Sequence, residues 1–105
     1  MNLNNIGEII ALRKLYLTGE KDKTIAVSIG KPQQFPDSQD YYCPFQITGI
    51  GSEKIKYAGG VDAIQAIQLA FDMIGVDLYV LNKENNGRIR WEADRKGSLG
   101  FPHAG

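Results

Sequence analysis

The side chains most able to do chemistry in this chain are a single thiol and a single imidazole, Cys43 and His103. A nucleophilic pair would need them within hydrogen-bond reach, with a third group to orient the base. Cys43 lies between Tyr42 and Pro44 in a strand-like pattern, where cysteine usually serves as a small buried hydrophobe. His103 falls in a tail that we expect to be loose, a poor place for a preorganised base. The sequence therefore predicts no catalytic residue. The alternative is a cleft near Cys43 that binds a small molecule or supports minor enzymatic chemistry.

Metal and phosphate sites are not predicted. Zinc requires about four Cys, His or carboxylate ligands, usually in paired spacings, and the chain has one Cys and one His. Residues 37–40 are too short for a calcium loop and lack its terminal glutamate. Gly59 and Gly60 precede a predicted helix, but Asp62 places a carboxylate where a phosphate would bind. We therefore expect no cofactor, and we interpret the two glycines as a tight strand-to-helix turn.

The long helical segment after these glycines organises the rest of the chain. Asp62 and Gln65 fit a capping box, in which Asp62 accepts the amide of Gln65 and Gln65 reaches back to the amide of Asp62. Apolar residues at helical spacing predict a helix over residues 61–82. Apolar side chains cover roughly two-thirds of its circumference at 100° per residue, which predicts a helix wrapped by a curved sheet. The alternative is that Leu69, Met73 and Val76 form a subunit contact.

Gly75 leaves two interpretations of the second half of this helix. It could end the helix as a C′ glycine, or it could lie inside the helix at a cost of about 1 kcal/mol relative to alanine. Residues 76–81 alternate as a strand does, and they also continue the helical spacing. We expect one continuous helix.

Alternation of apolar and polar residues predicts four strands before the helix and one after it. The predicted strands are residues 8–18, 24–30, 41–48, 53–58 and 88–92. A slip in the pattern around Lys14 indicates a bulge in the first strand, and Pro44 implies an edge position or an irregularity in the third. Residues 31–40 are predicted to be a loop because Pro32 and Pro36 cannot donate to a ladder.

The order β-β-β-β-α-β predicts an α+β fold, an antiparallel sheet of four to five strands packed on one long helix. A length of 105 residues predicts a single domain, residues 1–105, in which residues 1–7 and 103–105 are loose tails. A hydrophobic content of 43% is enough for one core.

Charge and composition narrow the functional classes. Twelve basic and twelve acidic residues give a net charge of zero, which argues against nucleic-acid binding. One cysteine excludes an internal disulfide. The sequence shows no uninterrupted apolar run near 20 residues and no secretory signature, so we expect no membrane association and a cytoplasmic protein.

Four motifs carry a family resemblance. They are Tyr42-Cys43-Pro44-Phe45-Gln46-Ile47-x-Gly49, Gly60-Val61-Asp62-Ala63-Ile64-Gln65-Ala66, Trp91, and Leu99-Gly100-Phe101-Pro102. Together they resemble a family of small bacterial proteins classed as a domain of unknown function, over about residues 12–102. In that family the pattern looks like a Cys-Pro-Tyr/Phe strand, a Gly-Val-Asp-x-x-Gln-Ala helix start, a Trp and a closing Gly-Phe-Pro. The resemblance implies the fold and a bacterial cytoplasmic origin, and it brings no activity.

The function that we expect is a non-enzymatic protein-interaction domain, such as a toxin-neutralising immunity protein. The partner would be an unidentified protein, and a homodimer is the further possibility. Candidate partner contacts are Asp37 and Asp40 in an acidic loop, together with Arg88, Arg90 and Trp91 after the helix.

Overall fold

The computed structural model describes residues 1–19, 23–94 and 96–102. They form six strands and one helix: β1 Ile9–Leu17, β2 Thr24–Gly30, β3 Gln33–Gln34, β4 Tyr41–Thr48, β5 Lys56–Gly60, α1 Ala63–Glu84 and β6 Ile89–Arg90. The predicted α+β fold, with strands, then a helix, then a strand, is confirmed. His103, the imidazole considered above, lies outside the described residues.

The strands form one sheet in which every pairing of the described residues is antiparallel. Its order is β3-β4-β2-β1-β6, and β5 pairs with the other edge of β4. β3 pairs with β4 one residue out of register with the β2–β4 pairing. β2 and β3 therefore act as one interrupted strand, with a bulge at residues 30–32. The loop predicted for residues 31–40 is wrong at Gln33 and Gln34, because Pro32 and Pro36 flank these residues and leave their ladder intact.

Of the two predicted irregularities, the one in β1 lies elsewhere than expected, whereas Pro44 does lie at an irregularity, the second of its two predicted possibilities. The register of β1 shifts between Ile9 and Ala11, not at Lys14. Pro44 lies inside the sheet, and not at an edge, because β4 pairs on both sides. The β2–β4 pairing stops at Phe45, which leaves Pro44 beside the bulge. The proline ring occupies the space next to Gly30, where a Cβ would lie 2.6 Å from it.

β5 begins and ends later than the predicted residues 53–58. Glu53 has a left-handed φ of 58° and belongs to the preceding turn. Gly59 and Gly60, predicted as a turn, are the last two residues of the strand, and Gly60 pairs with Tyr41. A Cβ on Gly60 would lie 2.6 Å from the backbone nitrogen of Ala66. The glycine is therefore required because the first turn of α1 packs directly onto the end of β5.

β6 is shorter than the predicted residues 88–92. Only Ile89 and Arg90 pair with β1, opposite Leu17 and Tyr16. Trp91 instead forms an isolated bridge with Asp94. The residue of β1 opposite Trp91 is Leu15, so β1 does not end there. The strand ends because the chain turns, with the carbonyl oxygen of Trp91 accepting the amide of Asp94 at 3.1 Å.

α1 is one continuous helix, as predicted for residues 76–81, although it spans Ala63–Glu84 and not residues 61–82. Its N-cap is Asp62, whose Oδ1 accepts the amide of Gln65 at 2.8 Å. The other half of the box differs from the prediction, since Gln65 Oε1 accepts the amide of Val61 at 2.8 Å and not that of Asp62. The helix therefore begins at Ala63, and the Asp62 side chain satisfies one of its first amides, that of Gln65.

The core lies between the inner face of the sheet and α1. Its fourteen buried apolar residues are Leu15, Leu17, Ile25, Val27, Ile29, Cys43, Phe45, Ile47, Ala58, Ala66, Ala70, Ile74, Leu78 and Ile89. The main sheet contacts of α1 are with β4 and β5. The inner side of β1 and β2 therefore needs another cover, and Trp91, Leu99 and Phe101 pack against the core there.

The segment of residues 97–102 docks on α1 at Gly75. A Cβ on Gly75 would lie 1.7 Å from the carbonyl oxygen of Pro102, so only glycine fits. Phe101 packs near Phe71 of the helix, with ring centroids 6.0 Å apart. Of the two interpretations of Gly75, the one that places it inside a continuous helix is therefore confirmed. Its missing side chain makes room for the C-terminal segment.

Arg13 ties the same segment to β1. Its guanidinium donates to the carbonyl oxygens of Leu99 and Gly100, each at 3.2 Å. It also lies 3.8 Å from the centroid of the Trp91 ring. Gly100, with a left-handed φ of 80°, leaves no room for a Cβ beside these two side chains. The segment is therefore a bridge between helix and sheet.

Candidate interaction surface

Four large apolar side chains form an exposed stripe along α1. Leu69, Met73, Val76 and Val80 are between 39% and 47% exposed. Their spacing of four, three and four residues keeps them within about 60° of arc on the helix. We call these four residues the apolar stripe. Ordinary monomer surfaces carry scattered apolar residues, whereas a contiguous patch on a rigid element indicates an interaction site.

The apolar stripe shows that the predicted wrapping of α1 by a curved sheet is wrong. The buried residues of the helix are Ala66, Ala70, Ile74, Gly75 and Leu78, all on the side facing the sheet and the C-terminal segment. A single sheet layer can cover only one side of a helix. The apolar circumference read from the sequence therefore contains two faces, one for the core and one left exposed.

Acidic residues flank the apolar stripe on both sides. Asp72 lies exposed on one flank. Asp77 lies on the other, and its Oδ2 is 2.9 Å from Nζ of Lys56. That ion pair is partly exposed and contributes little stability. It borders a groove whose lining is half apolar, including Ile50 and Leu81, and half polar or charged. Val80 belongs both to this groove and to the stripe.

By length and composition alone, α1 is long and apolar enough to cross a membrane. Core helices of soluble proteins meet the same criterion, and α1 packs Ile74 and Leu78 fully against the core. The expectation of no spanning segment rested on the lack of an uninterrupted apolar run, and Asp72 and Asp77 are what interrupt it.

Cys43 is closed off from solvent in the core. It is 0% exposed, and its thiol contacts the carbonyl oxygen of Gly30 at 3.7 Å. Burial raises the pKa of the Cys43 thiol from 9.0 to about 11. Burial therefore disfavours the thiolate, which is the nucleophilic form, and this weighs against the use of Cys43 as a nucleophile.

The motif residues form two clusters that hold the chain together. Gly60, Asp62 and Gln65 shape the junction between β5 and α1. Gly100, Phe101 and Pro102 seat the C-terminal segment on Arg13, Trp91, Phe71 and Gly75. Cys43 and Pro44 lie in β4, one on each face of the sheet.

A family model described as a domain of unknown function (DUF6968) matches residues 11–103. The chain belongs to this family. The match confirms the resemblance to a family of unknown function that the four motifs carried. No curated protein matches the chain, and no solved structure matches it.

In this DUF6968 member, the residues predicted as partner contacts fall into two separate groups. Asp37 and Asp40 lie exposed in the turn between β3 and β4. Arg88, Arg90 and Trp91 lie around β6, the strand at the opposite end of the sheet order from β3.

The second group is largely engaged within the chain. Arg88 donates to the carbonyl oxygens of Asn85 and Thr18, and Arg90 donates to those of Gly87 and Ile89. Trp91 is half-buried beneath Arg13. Of the exposed apolar stripe, sequence reasoning found Leu69, Met73 and Val76 and missed Val80, although Val80 continues the same spacing.

Proposed function

We propose that the protein is a non-enzymatic interaction domain that binds through the apolar stripe of α1. The observation that carries this proposal is the half-exposed state of four large apolar side chains in adjacent turns. The stripe lies on a helix that the core already anchors, so little conformational freedom is lost when a partner binds. Burying such a face removes apolar surface from water, which is the main driving force for association.

The finer role that we propose is that of a toxin-neutralising immunity protein. Such a protein blocks a partner's active site by covering it with a complementary surface. The support is the acidic turn between β3 and β4, where Asp37 and Asp40 are both exposed. Opposite charge at an interface steers association and selects the partner.

The test compares two variants of α1 that each add one negative charge. Val76→Glu places the charge inside the apolar stripe, and Gln68→Glu places it on an exposed polar position of the same helix. We expect Val76→Glu to reduce binding at least tenfold, equivalent to about 1.4 kcal/mol or more, because a buried unpaired carboxylate is costly. Gln68→Glu should bind as the wild type does. The measurement is quantitative mass spectrometry of the proteins retained by tagged bait in its native cells.

A third bait, Asp37→Asn combined with Asp40→Asn, tests the immunity role. Loss of one stoichiometric foreign protein from this bait, with its retention by Gln68→Glu, would support the role. Equal retention of every protein by wild type and Val76→Glu would contradict the interaction surface itself.

A further inference from the structure

We propose that the occupant of the apolar stripe is a second copy of this chain, docked antiparallel to the first. The two-fold axis would pass between Met73 and Val76. This proposal rests on the proposed function, since it names the partner that the stripe binds. It makes the protein a homodimer joined helix to helix.

The spacing of the apolar stripe is what makes it complementary to itself. Separations of four, three and four residues read the same in both directions along the helix. An antiparallel copy therefore places Leu69 opposite Val80 of the partner subunit, and Met73 opposite Val76 of the partner subunit. This spacing is also that of the a and d positions of a coiled coil, in which apolar residues interdigitate across two helices. Each side chain of the stripe then contacts an apolar side chain.

The charges beside the stripe select the antiparallel orientation. In a parallel pair, Asp72 would lie across from Asp77 of the partner subunit, and this repulsion would occur twice. In an antiparallel pair, the flanking position nearest Asp72 is Tyr79 of the partner subunit. The one nearest Asp77 is Ala70 of the partner subunit, which is buried against its own core, so neither carboxylate meets another. Asp77 is moreover already paired with Lys56 at 2.9 Å. A net charge of zero adds no long-range repulsion between two copies.

The same charges disfavour a lipid surface as the occupant. Helices that lie in a membrane interface carry Lys and Arg along the polar side, where they meet anionic headgroups. The polar positions of α1 beside the stripe are instead Gln65, Gln68 and Asp72 on one side and Asp77 on the other, with Lys83 only in the last turn. Lys56 of β5, which lies beside Asp77, is paired with that carboxylate.

The length of the stripe sets the expected strength of the dimer. Eleven residues separate Leu69 from Val80, which corresponds to about 17 Å of helix. Such a contact is smaller than the interface of a typical stable complex, about 800 Å² on each partner. We therefore expect dissociation in the micromolar range, and a dimer that populates as concentration rises.

The orientation is tested by cross-linking two single-cysteine variants, Leu69→Cys and Val80→Cys. The native Cys43 is fully buried and need not be replaced. In an antiparallel dimer, positions 69 and 80 face each other, whereas two copies of position 69 lie about 17 Å apart along the axis. A disulfide requires Cα atoms about 4.4–6.8 Å apart. Mild oxidation should therefore produce a covalent dimer when the two variants are mixed. Either variant oxidised by itself should form no intermolecular disulfide. Cross-links within each separate variant would overturn the proposal in favour of a parallel pair.

Sedimentation equilibrium between about 1 µM and 1 mM tests whether the dimer forms at all. The wild type and Gln68→Glu should approach twice the monomer mass of 11.6 kDa, and Val76→Glu should remain a monomer. A monomeric wild type throughout this range, or a dimer unaffected by Val76→Glu, overturns the proposal. So does co-sedimentation of monomer with anionic vesicles through the stripe. A monomer that still captures a different protein through the stripe would refute only the dimer and leave the proposed function intact.

Discussion

At the scale of single residues, Cys43 shows how burial decides what a reactive group can do. Its thiol is 0% exposed and lies against the carbonyl oxygen of Gly30. Removing the thiolate from water raises the pKa to about 11. The residue type most suited to nucleophilic chemistry is thus held protonated and used as a small core side chain.

The raised pKa predicts a loss of stability at alkaline pH. The folded thiol titrates near 11 and the unfolded one near 9.0. Between these two pH values the unfolded chain loses its thiol proton while the folded chain keeps it. The free energy of unfolding is therefore unaffected by Cys43 below about pH 9 and falls as the pH rises toward 11. At about 1.4 kcal/mol for each unit of pKa difference, the free energy of unfolding should fall by about 2–3 kcal/mol in total. Urea unfolding at several pH values measures it.

Cys43→Ala is the control, because it keeps every other titrating group. The free energy of unfolding should fall more steeply from pH 9 to 11 in the wild type than in Cys43→Ala. Parallel curves for the two proteins would contradict the burial argument. Alkylation of the native wild-type thiol at pH 7 should also be far slower than that of the urea-unfolded chain.

At the scale of one element, α1 depends on how its first turn is capped. The first amides of a helix have no partner within the helix. Asp62 accepts the amide of Gln65, and Gln65 accepts that of Val61, each at 2.8 Å. Together with the tight packing at Gly60, these bonds determine where the helix starts and how it leaves β5.

Asp62→Ala is therefore expected to destabilise the fold by about 1 kcal/mol, the usual cost of losing an N-cap. Asp72→Ala removes the same carboxylate from an exposed position in the middle of the same helix. It should change stability by no more than about 0.5 kcal/mol. Urea denaturation of both variants decides between a specific cap and a general charge effect. Equal losses would show that the cap contributes nothing beyond charge.

At the scale of the whole molecule, the C-terminal segment completes a core that α1 leaves half-covered. α1 packs mainly on β4 and β5. Leu99 and Phe101 cover the rest, and Arg13 holds their backbone to β1. Gly75 is the point at which this segment meets the helix.

Gly75→Ala tests this arrangement, because two effects oppose each other. Alanine favours the helix by about 1 kcal/mol, but its Cβ would collide with the carbonyl oxygen of Pro102. We expect net destabilisation of about 1–3 kcal/mol, the usual cost of overpacking. Phe101→Ala loosens the segment, so Gly75→Ala in that background should be neutral or stabilising. Chemical denaturation of the four proteins measures this coupling. Additive effects would contradict the docked segment.

Local patterns in the sequence determined the fold class and most element bounds. The cap at Asp62, the continuous helix through residues 76–81 and the long strands β1, β2 and β4 agree with prediction to within two residues. Each depends on hydrogen bonds or periodicities among residues close in the chain. The buried role of Cys43 and the exposed edge of Leu69, Met73 and Val76 were also within reach of the sequence.

Tertiary structure alone decided which surfaces are covered. Apolar periodicity identifies the side chains that favour leaving water, but it does not identify what covers them. The short strand β3, the interior place of Pro44 and the register of β5 depend on partners distant in the chain. The reason for Gly75 lies 27 residues away, at Pro102. The apolar stripe is exposed because a one-layer sheet covers one side of α1, and that follows from the packing of the whole molecule.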